Sequence, residues 1–499
     1  MSKRYVIALD QGTTSSRAVL VDARGRVVDQ VRRPFPQVYP QPGWVEHRPE
    51  DILSSQLGAL TELLVRGGLT PGEIDGIGIT NQRETTLVWD RATGRPIANA
   101  IVWQCRRTAP IIERLCGDPA VADDVRARTG LVPDAYFSAS KIRWLLDSVP
   151  GAQERAEAGD LAFGTVDSWL VWSLTGGRAH VTDPTNASRT MLYNIHEGRW
   201  DTRLLELFDI PSAMMPEVRP SASLFGATAN TSVPQGIPIC SVVGDQQSAL
   251  FGQCCFTAGQ AKNTYGTGCF LLMHTGHEAC VSHNNLVTTI AASAPGARRT
   301  EYALEGSVFV AGALIQWLRD ELGVIRSADE AEALARSVPD TGGVYVVPAF
   351  TGLGAPWWDP DARGAIFGLT RGTTRAHLVR AALEALAYQM SDLCRAMQDD
   401  AGARIDTLNV DGGASANDFL MQFQSDILRT PVRRPRNVET TALGAAYLAG
   451  LTTGFWRSTD ELQRLRADDD VFTPAMPQER VETLLAGWAE AVRRTRTNA

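Results

Sequence analysis

Motifs that would assign this 499-residue chain at once are missing: it has no C-x-x-C pair, no H-E-x-x-H, no G-x-x-x-x-G-K-[ST] and no apolar run of 18 residues. These absences exclude a disulfide framework, a structural zinc of ordinary spacing, a P-loop nucleotide site and a membrane-spanning helix. Basic character is missing too. A formal charge of −8 and a pI near 5.5 argue against nucleic acid or an anionic membrane as partner. Only five apolar residues, Tyr5 to Leu9, precede Asp10, too few for a secretory signal core, so a cytoplasmic protein is expected. Of the eight cysteines, Cys105, Cys240, Cys269 and Cys394 sit in apolar runs and read as small packing residues of the core, and the vicinal Cys254 and Cys255 cannot form a normal disulfide with each other.

What is present is a strand that breaks into an acid, a glycine turn and a hydroxyl cluster. Tyr5 to Leu9 leads to Asp10, Gly12, Thr13, Thr14, Ser15, Ser16 and Arg17, then an apolar strand resumes. A tight turn at Gly12 would free backbone amides for anionic oxygens, the hydroxyls would donate to them, and Arg17 would add charge. Asp10 would hold a magnesium ion through water. An ordinary polar-tipped hairpin uses the same residue types. About 250 residues later the pattern returns, as Ala261 to Tyr265, a Gly266-Thr267-Gly268 tip and an apolar return through Phe270. A third turn, Asp411-Gly412-Gly413-Ala414-Ser415-Ala416-Asn417, follows another apolar strand. Three such elements in this order are similar to the nucleotide site of the actin-like ATPase superfold, and the two hairpins suggest an internal duplication.

Strand and helix signals alternate throughout, as in α/β proteins. Pro49 opens a helix whose Ile52, Leu53, Leu57, Leu60, Leu63 and Leu64 share one face, and Gly67-Gly68 ends it. Helical patterns also run over Phe309–Leu322 and His377–Ala396. The join between two domains is expected near 245–255, giving 1–250 and 251–499 with a site between them. Asp468 to Asp470 reads as a solvated loop, and Arg493, Arg494 and Arg496 as a solvated last helical turn.

Two polar clusters stand at strand ends, where open α/β sheets bind ligands. Thr80-Asn81-Gln82-Arg83-Glu84 offers donors and an acceptor for an uncharged, hydroxylated molecule; a surface salt-bridged turn is the competing reading. Gly244-Asp245-Gln246-Gln247 offers a general base, against simple helix capping by Asp245. Trp103 and Tyr136 would lie against the C–H face of a polyol, although core packing alone explains most such rings. Gly312 and Gln316, one helical turn apart, would leave room for a flat ring, although close helix packing explains the glycine equally well.

These segments, with Gly78 to Thr85, Ile101 to Arg107, Asn263 to Gly268, Thr351 to Asp359 and Gly364 to Glu384, resemble the FGGY carbohydrate kinases across nearly the whole chain. The resemblance implies a two-domain actin-like ATPase (ribonuclease H-like) α/β fold with the active site in the interdomain cleft. It implies ATP and Mg2+ as cofactors and glycerol as acceptor. Arg83, Glu84, Tyr136, Asp245 and Gln246 would bond or cover glycerol, with Trp103 and Phe270 holding its carbons. Thr13, Thr14, Ser15 and Arg17 would contact phosphates, Thr267 the transferred end, and Gly312, Gln316, Gly413 and Asn417 the rest of ADP. Asp10 and Asp245 would anchor Mg2+, and Asp245, with an ordinary carboxylate pKa, would take the hydroxyl proton. A dimer or tetramer is expected. The alternatives are another FGGY kinase acting on a pentulose or gluconate, and a non-catalytic actin-like ATPase. Some members bind fructose 1,6-bisphosphate through a Gly- and Arg-containing loop between subunits. Here the stretch Ser223–Gly236 is shorter, and no Lys, Arg or His occurs from Pro220 through Ala261. Neither that inhibition nor activation through a phosphorylated histidine is expected.

Overall fold

The computed structural model describes residues 4–357, 359, 361–466 and 469–497. The first hairpin forms as its apolar pattern predicts, Tyr5–Gln11 (β1) returning as Ser15–Asp22 (β2), followed by Val27–Pro34 (β3). Helix Pro49–Arg66 (α1) lays its apolar face on these strands, burying Ile52, Leu60 and Leu63 beside Ile7, Leu9 and Leu20. Strand Ile74–Asn81 (β4) then pairs parallel with β1. Ala222–Ala227 (β5) and Pro238–Gly244 (β6) complete a six-stranded sheet in the order β5-β6-β4-β1-β2-β3.

A second sheet repeats this plan. Its strands are Ala261–Tyr265 (β7), Cys269–Gly276 (β8), Val287–Ile290 (β9), Tyr302–Val308 (β10), Leu408–Asp411 (β11), Val432–Arg434 (β12) and Asp470–Phe472 (β13), seven in all, ordered β9-β10-β8-β7-β11-β12-β13. In each half a hairpin's first strand, β1 or β7, is flanked by its own antiparallel return on one side and a parallel strand on the other. The duplication suggested by the two hairpins thus extends to the strand order around them.

The halves are fastened by helices rather than by a linker. Asp245–Gly252 (α2) begins directly where β6 ends, and Thr440–Thr453 (α3), from the second half of the chain, lies on the first sheet. Small residues permit that contact. A Cβ on Gly444 would sit 1.8 Å from the Ser248 carbonyl oxygen, and one on Gly78 would sit 2.2 Å from that of Ala445. Neither position tolerates a side chain without separating α3 from what it covers.

Several local expectations shift. The helix expected from Phe309 starts at Gly312 and runs to Asp320, because the amides of Ala311, Gly312 and Ala313 bond the carbonyls of Thr267 and Gly266 instead. The helix expected over His377–Ala396 spans Arg375–Ala401, capped reciprocally by Thr374 and His377 and stopped by left-handed Gly402. Asp469 is no solvated acid: its side chain, 6% exposed, is held by Arg433 and Arg466. Asp470 pairs with Arg434, and Asp468 lies outside the described residues. At the other end of the chain, Arg493 and Arg494 both pair with Glu490 on the surface of the last helix.

Candidate active site

The carboxyl ends of β1, β4 and β6 lie side by side. Register pairs Asp10 with Thr80 and Val243 with Thr80, so Asp10, the Thr80–Glu84 cluster and Asp245 emerge at one level. A short segment locks β4 and β6 together. Thr185 Oγ1 accepts the Gly244 amide at 2.8 Å while Asn186 and Asn81 exchange amide hydrogen bonds at 2.9 and 3.2 Å. Buried Asp183 holds this segment by accepting from Thr185 and Asn186.

The Thr80–Glu84 cluster is buried throughout, not a surface turn. Glu84 is a non-glycine residue at φ 61°, a left-handed conformation that costs on the order of 1 kcal/mol. Its carbonyl is held there by the hydroxyls of Thr86 and Ser138, at 2.9 and 3.0 Å. Arg83 is 2% exposed and donates to Glu305 through both terminal nitrogens, at 2.7 and 2.9 Å. It also donates to Gln247 at 3.1 Å, and its Nε lies 3.2 Å from Asp245 Oδ1. Burial works against this guanidinium's charge, but Glu305, Glu84 and Asp245 outweigh it and raise its pKa well above the usual value.

Asp245 opens α2 and its Oδ1 accepts its neighbour's amide, Gln246 N, at 2.7 Å. The expectation of an ordinary carboxylate pKa is corrected. Burial beneath the second half pushes it up to about 6, with Arg83 and Lys262 pulling it down and Glu84 pushing it up. Its side chain keeps 30% of its exposure, so it remains reachable from the cleft. Gln246 accepts from Lys262 Nζ at 2.6 Å, and Lys262 also donates to Thr264 at 2.9 Å.

The aromatic pair forms: Trp103 and Tyr136 stand edge to face, ring centroids 5.4 Å apart. Trp103 Nε1 donates to Thr13 Oγ1 at 3.1 Å, which ties the aromatic wall to the first hairpin tip. From the second sheet, Phe270 pairs with Thr264 and Ser307, so it shares a face with Lys262 and Glu305 and is half-buried.

The first hairpin differs in detail from expectation. The Gly12 amide is not free; it donates to Ser15 O at 3.0 Å and closes the turn. Among the described residues, the amides of Thr13 and Thr14 at the tip have no protein acceptor, so they are the donors available to an anion. The Ser15 hydroxyl accepts from Arg32 at 2.9 Å, and that of Ser16 turns inward to Ser55. Arg17 is a bridge rather than an unattached cation, paired with both Asp10 and Glu439, a residue from just before α3.

On the other side of the cleft, Thr267 is at an exposed tip, and Gly312 has a packing reason for lacking a side chain. A Cβ there would sit 2.6 Å from the Gly266 carbonyl oxygen, so it is the hairpin, not a second helix, that demands the glycine. Gln316 is exposed one turn further on. In the third turn the backbone demand falls on Gly412, at φ 87° with Tyr265 O 2.4 Å from its Cβ position, whereas Gly413 faces open space. Asn417 caps the following helix, Asp418–Leu428, by accepting from the Leu420 amide at 2.9 Å.

Sequence reasoning missed Arg189, Lys262 and Glu305. Glu305 interrupts the apolar run Tyr302 to Leu304, a signal that was there to be read; Lys262, in the largely polar strand β7, and Arg189, in an irregular stretch, gave none. Arg189 donates to Glu84 at 2.7 Å and to Glu305 at 3.2 Å. Burial alone would raise the Glu305 pKa, but Arg189 and Arg83 hold it near about 2.

Two α/β halves of like strand order, each opening on a phosphate-type hairpin and joined by the buried Arg83–Glu305 pair, define a two-domain kinase of the actin-like ATPase class. The chain belongs to the FGGY family of carbohydrate kinases: the family's N-terminal domain matches residues 5–252 and its C-terminal domain residues 261–453. It is 60% identical to the glycerol kinase of Symbiobacterium thermophilum over 496 residues, 99% of each chain. The glycerol kinase of Stenotrophomonas maltophilia is likewise 60% identical over 496 residues, again 99% of each chain. Among solved structures, glycerol kinase of Plasmodium falciparum with ADP superposes with a TM-score of 0.93 at 37% identity, covering 98% of both chains.

Proposed function

We propose that this protein transfers the γ-phosphoryl group of ATP to a terminal hydroxyl of glycerol, giving sn-glycerol 3-phosphate and ADP for glycerol catabolism. The observation that carries this reading is the approach of Arg83 to Asp245, 3.2 Å apart, beside Glu84 and the Trp103–Tyr136 wall. Glu84 accepts from one glycerol hydroxyl, Arg83 and Gln246 orient another, and Tyr136, Trp103 and Phe270 cover the carbons. Asp245 accepts the proton as the acceptor oxygen bonds the γ-phosphorus and the bond to the ADP oxygen breaks. Such a transfer has a loose transition state, so positioning and exclusion of water do most of the work. The tip amides of Thr13 and Thr14, their hydroxyls and those of Ser15 and Thr267 serve the phosphates. The open faces at Gly312, Gln316, Gly413 and Asn417 serve the rest of the nucleotide, and Arg17, while paired with Asp10 and Glu439, keeps further guanidinium N–H groups for the phosphates.

Mg2+ suits the acids present. Asp10 and Asp245 end β1 and β6, which flank β4, so their backbones stand two strand spacings apart, roughly 10 Å. That span and two hard carboxylates favour a small ion held partly through water. Bound there, Mg2+ neutralises charge on the β- and γ-phosphates.

The same reading includes a division into two domains. A join at 250/251 would cut α2, so we set it in 253–260, between that helix and β7. It also includes assembly as a dimer or tetramer, read by light scattering, and residence in the cytoplasm, where ATP is available. Among the described residues, no helix is long and apolar enough to cross a membrane. Coupled-assay turnover of glycerol, dihydroxyacetone, xylulose, ribulose and gluconate tests the acceptor. Preference for glycerol is expected, and preference for a pentulose or gluconate would replace it with another acceptor of the family.

A further inference from the structure

Four buried charges form a closed ring around the acceptor site. Arg189 reaches Glu84 at 2.7 Å and Glu305 at 3.2 Å; Glu305 takes Arg83 at 2.7 Å; and Arg83 returns to Glu84 at 3.8 Å. None of the four side chains is more than 5% exposed. Glu305 belongs to β10 in the second half, and the other three to the first, so the ring exists only with the halves together. Beside it, Asp245 and the fully buried Lys262 add one charge of each sign. Three cations therefore face three anions.

We propose that Arg189 and Glu305 are positioning residues whose charges balance the acceptor site, so that it takes an uncharged polyol and rejects an anionic one. The inference rests on the glycerol reading above. Arg189 spends its fork on two glutamates, and Glu305 spends both oxygens on two arginines. Glu305 has no oxygen left for a ligand, and Arg189 keeps only Nη1, which is buried without a hydrogen-bond partner; each acts through Arg83 and Glu84. A hydroxyl can accept from Arg83 and donate to Glu84 without changing the sum of charges. A ligand carboxylate would be a fourth anion in a site from which water is excluded, where an unmatched charge is costly.

The test compares glycerol with d-glycerate, which is glycerol with one terminal CH2OH replaced by carboxylate. The readout is the inhibition constant of glycerate divided by the KM of glycerol, with the KM of ATP measured alongside. Glu305→Gln leaves one excess positive charge and is expected to lower that ratio at least about tenfold. Arg189→Gln leaves one excess negative charge and is expected to raise it. The double variant is neutral again and is expected to return within about threefold of the wild-type ratio, although its glycerol KM stays high. ATP KM should stay within about twofold throughout, since the ring faces only the acceptor. Equal changes for glycerol and glycerate in every variant, or ATP and glycerol KM rising together, would overturn the proposal and leave the ring a packing device. Should Glu305→Gln fail to fold, Arg189→Gln and the double variant still carry different expectations. A wild-type enzyme that does not phosphorylate glycerol overturns the functional reading instead.

Discussion

Arg83 and Glu305 meet in a two-point pair at 2.7 and 2.9 Å, although 222 residues separate them in the chain. The pair joins the end of the first sheet's β4 to the middle of the second sheet's β10, and it alters what a substitution at Arg83 reports.

Arg83→Ala would weaken glycerol binding, as loss of a charged hydrogen bond worth roughly 1.5–3 kcal/mol implies. It would also leave the buried Glu305 with Arg189 as its remaining arginine, destabilising the fold by less than the roughly 3–5 kcal/mol that follows when a buried ion pair is broken and its charge left uncompensated. Urea denaturation of the purified variant, with calorimetric titration of glycerol and of ATP, separates the two effects. An unchanged unfolding midpoint would mean that the pair is worth little.

Asp245→Asn should fold, bind ATP and lose at least ~10²-fold in kcat, the scale of general-base removal. In the wild type, the carboxylate pushed up to about 6 sets an acid limb. Above pH 6 the base is mostly ionised and activity is full; below it, each pH unit should lower kcat/KM about tenfold. A profile flat down to pH 4.5 at saturating Mg2+ would remove Asp245 as base.

Asp167 gives a pH dependence of stability rather than of rate. It is buried, accepts from Thr165 at 2.5 Å and from Thr182 at 2.6 Å, and lies near Asp183. Burial, then the neighbouring acid, pushes its pKa up from 3.8 to about 7. The folded state therefore binds this proton more tightly than the unfolded one. Its contribution is complete below about pH 4 and is lost as pH rises towards 7, by about 1.4 kcal/mol for each pH unit crossed. Asp167→Asn should flatten the stability curve between those limits, and thermal melts at half-unit intervals would show it. An unchanged slope would place the acid in a wetter setting.

Fructose 1,6-bisphosphate should not inhibit. The stretch lacking basic residues contains the edge strand β5, and the cation just before it in the chain, Arg219, is already paired with Glu217 while it bonds Leu224 O at 3.3 Å. Two phosphates would shed water for no charged partner. Saturable inhibition at millimolar ligand, fixed ionic strength and excess Mg2+ would reveal a site elsewhere.

The local chemistry of the chain was legible because it is written in short runs. Unbroken apolar runs set β1 and β2, proline and leucine spacing set α1, and the placing of polar clusters after apolar strands marked Thr80–Glu84 and Asp245 as strand-end groups. What those groups meet is a long-range matter. Only the tertiary structure, by laying β10 and β7 against the ends of β4 and β6, brings Glu305 and Lys262 to Arg83, Asp245 and Gln246. Desolvation by that packing moves the Asp245 pKa, an effect that no stretch of sequence carries in itself. The glycines show the same split. A turn glycine such as Gly412 can be read locally, whereas Gly444 and Gly312 are required by backbone that arrives from 196 and 46 residues away in the chain, at Ser248 and Gly266.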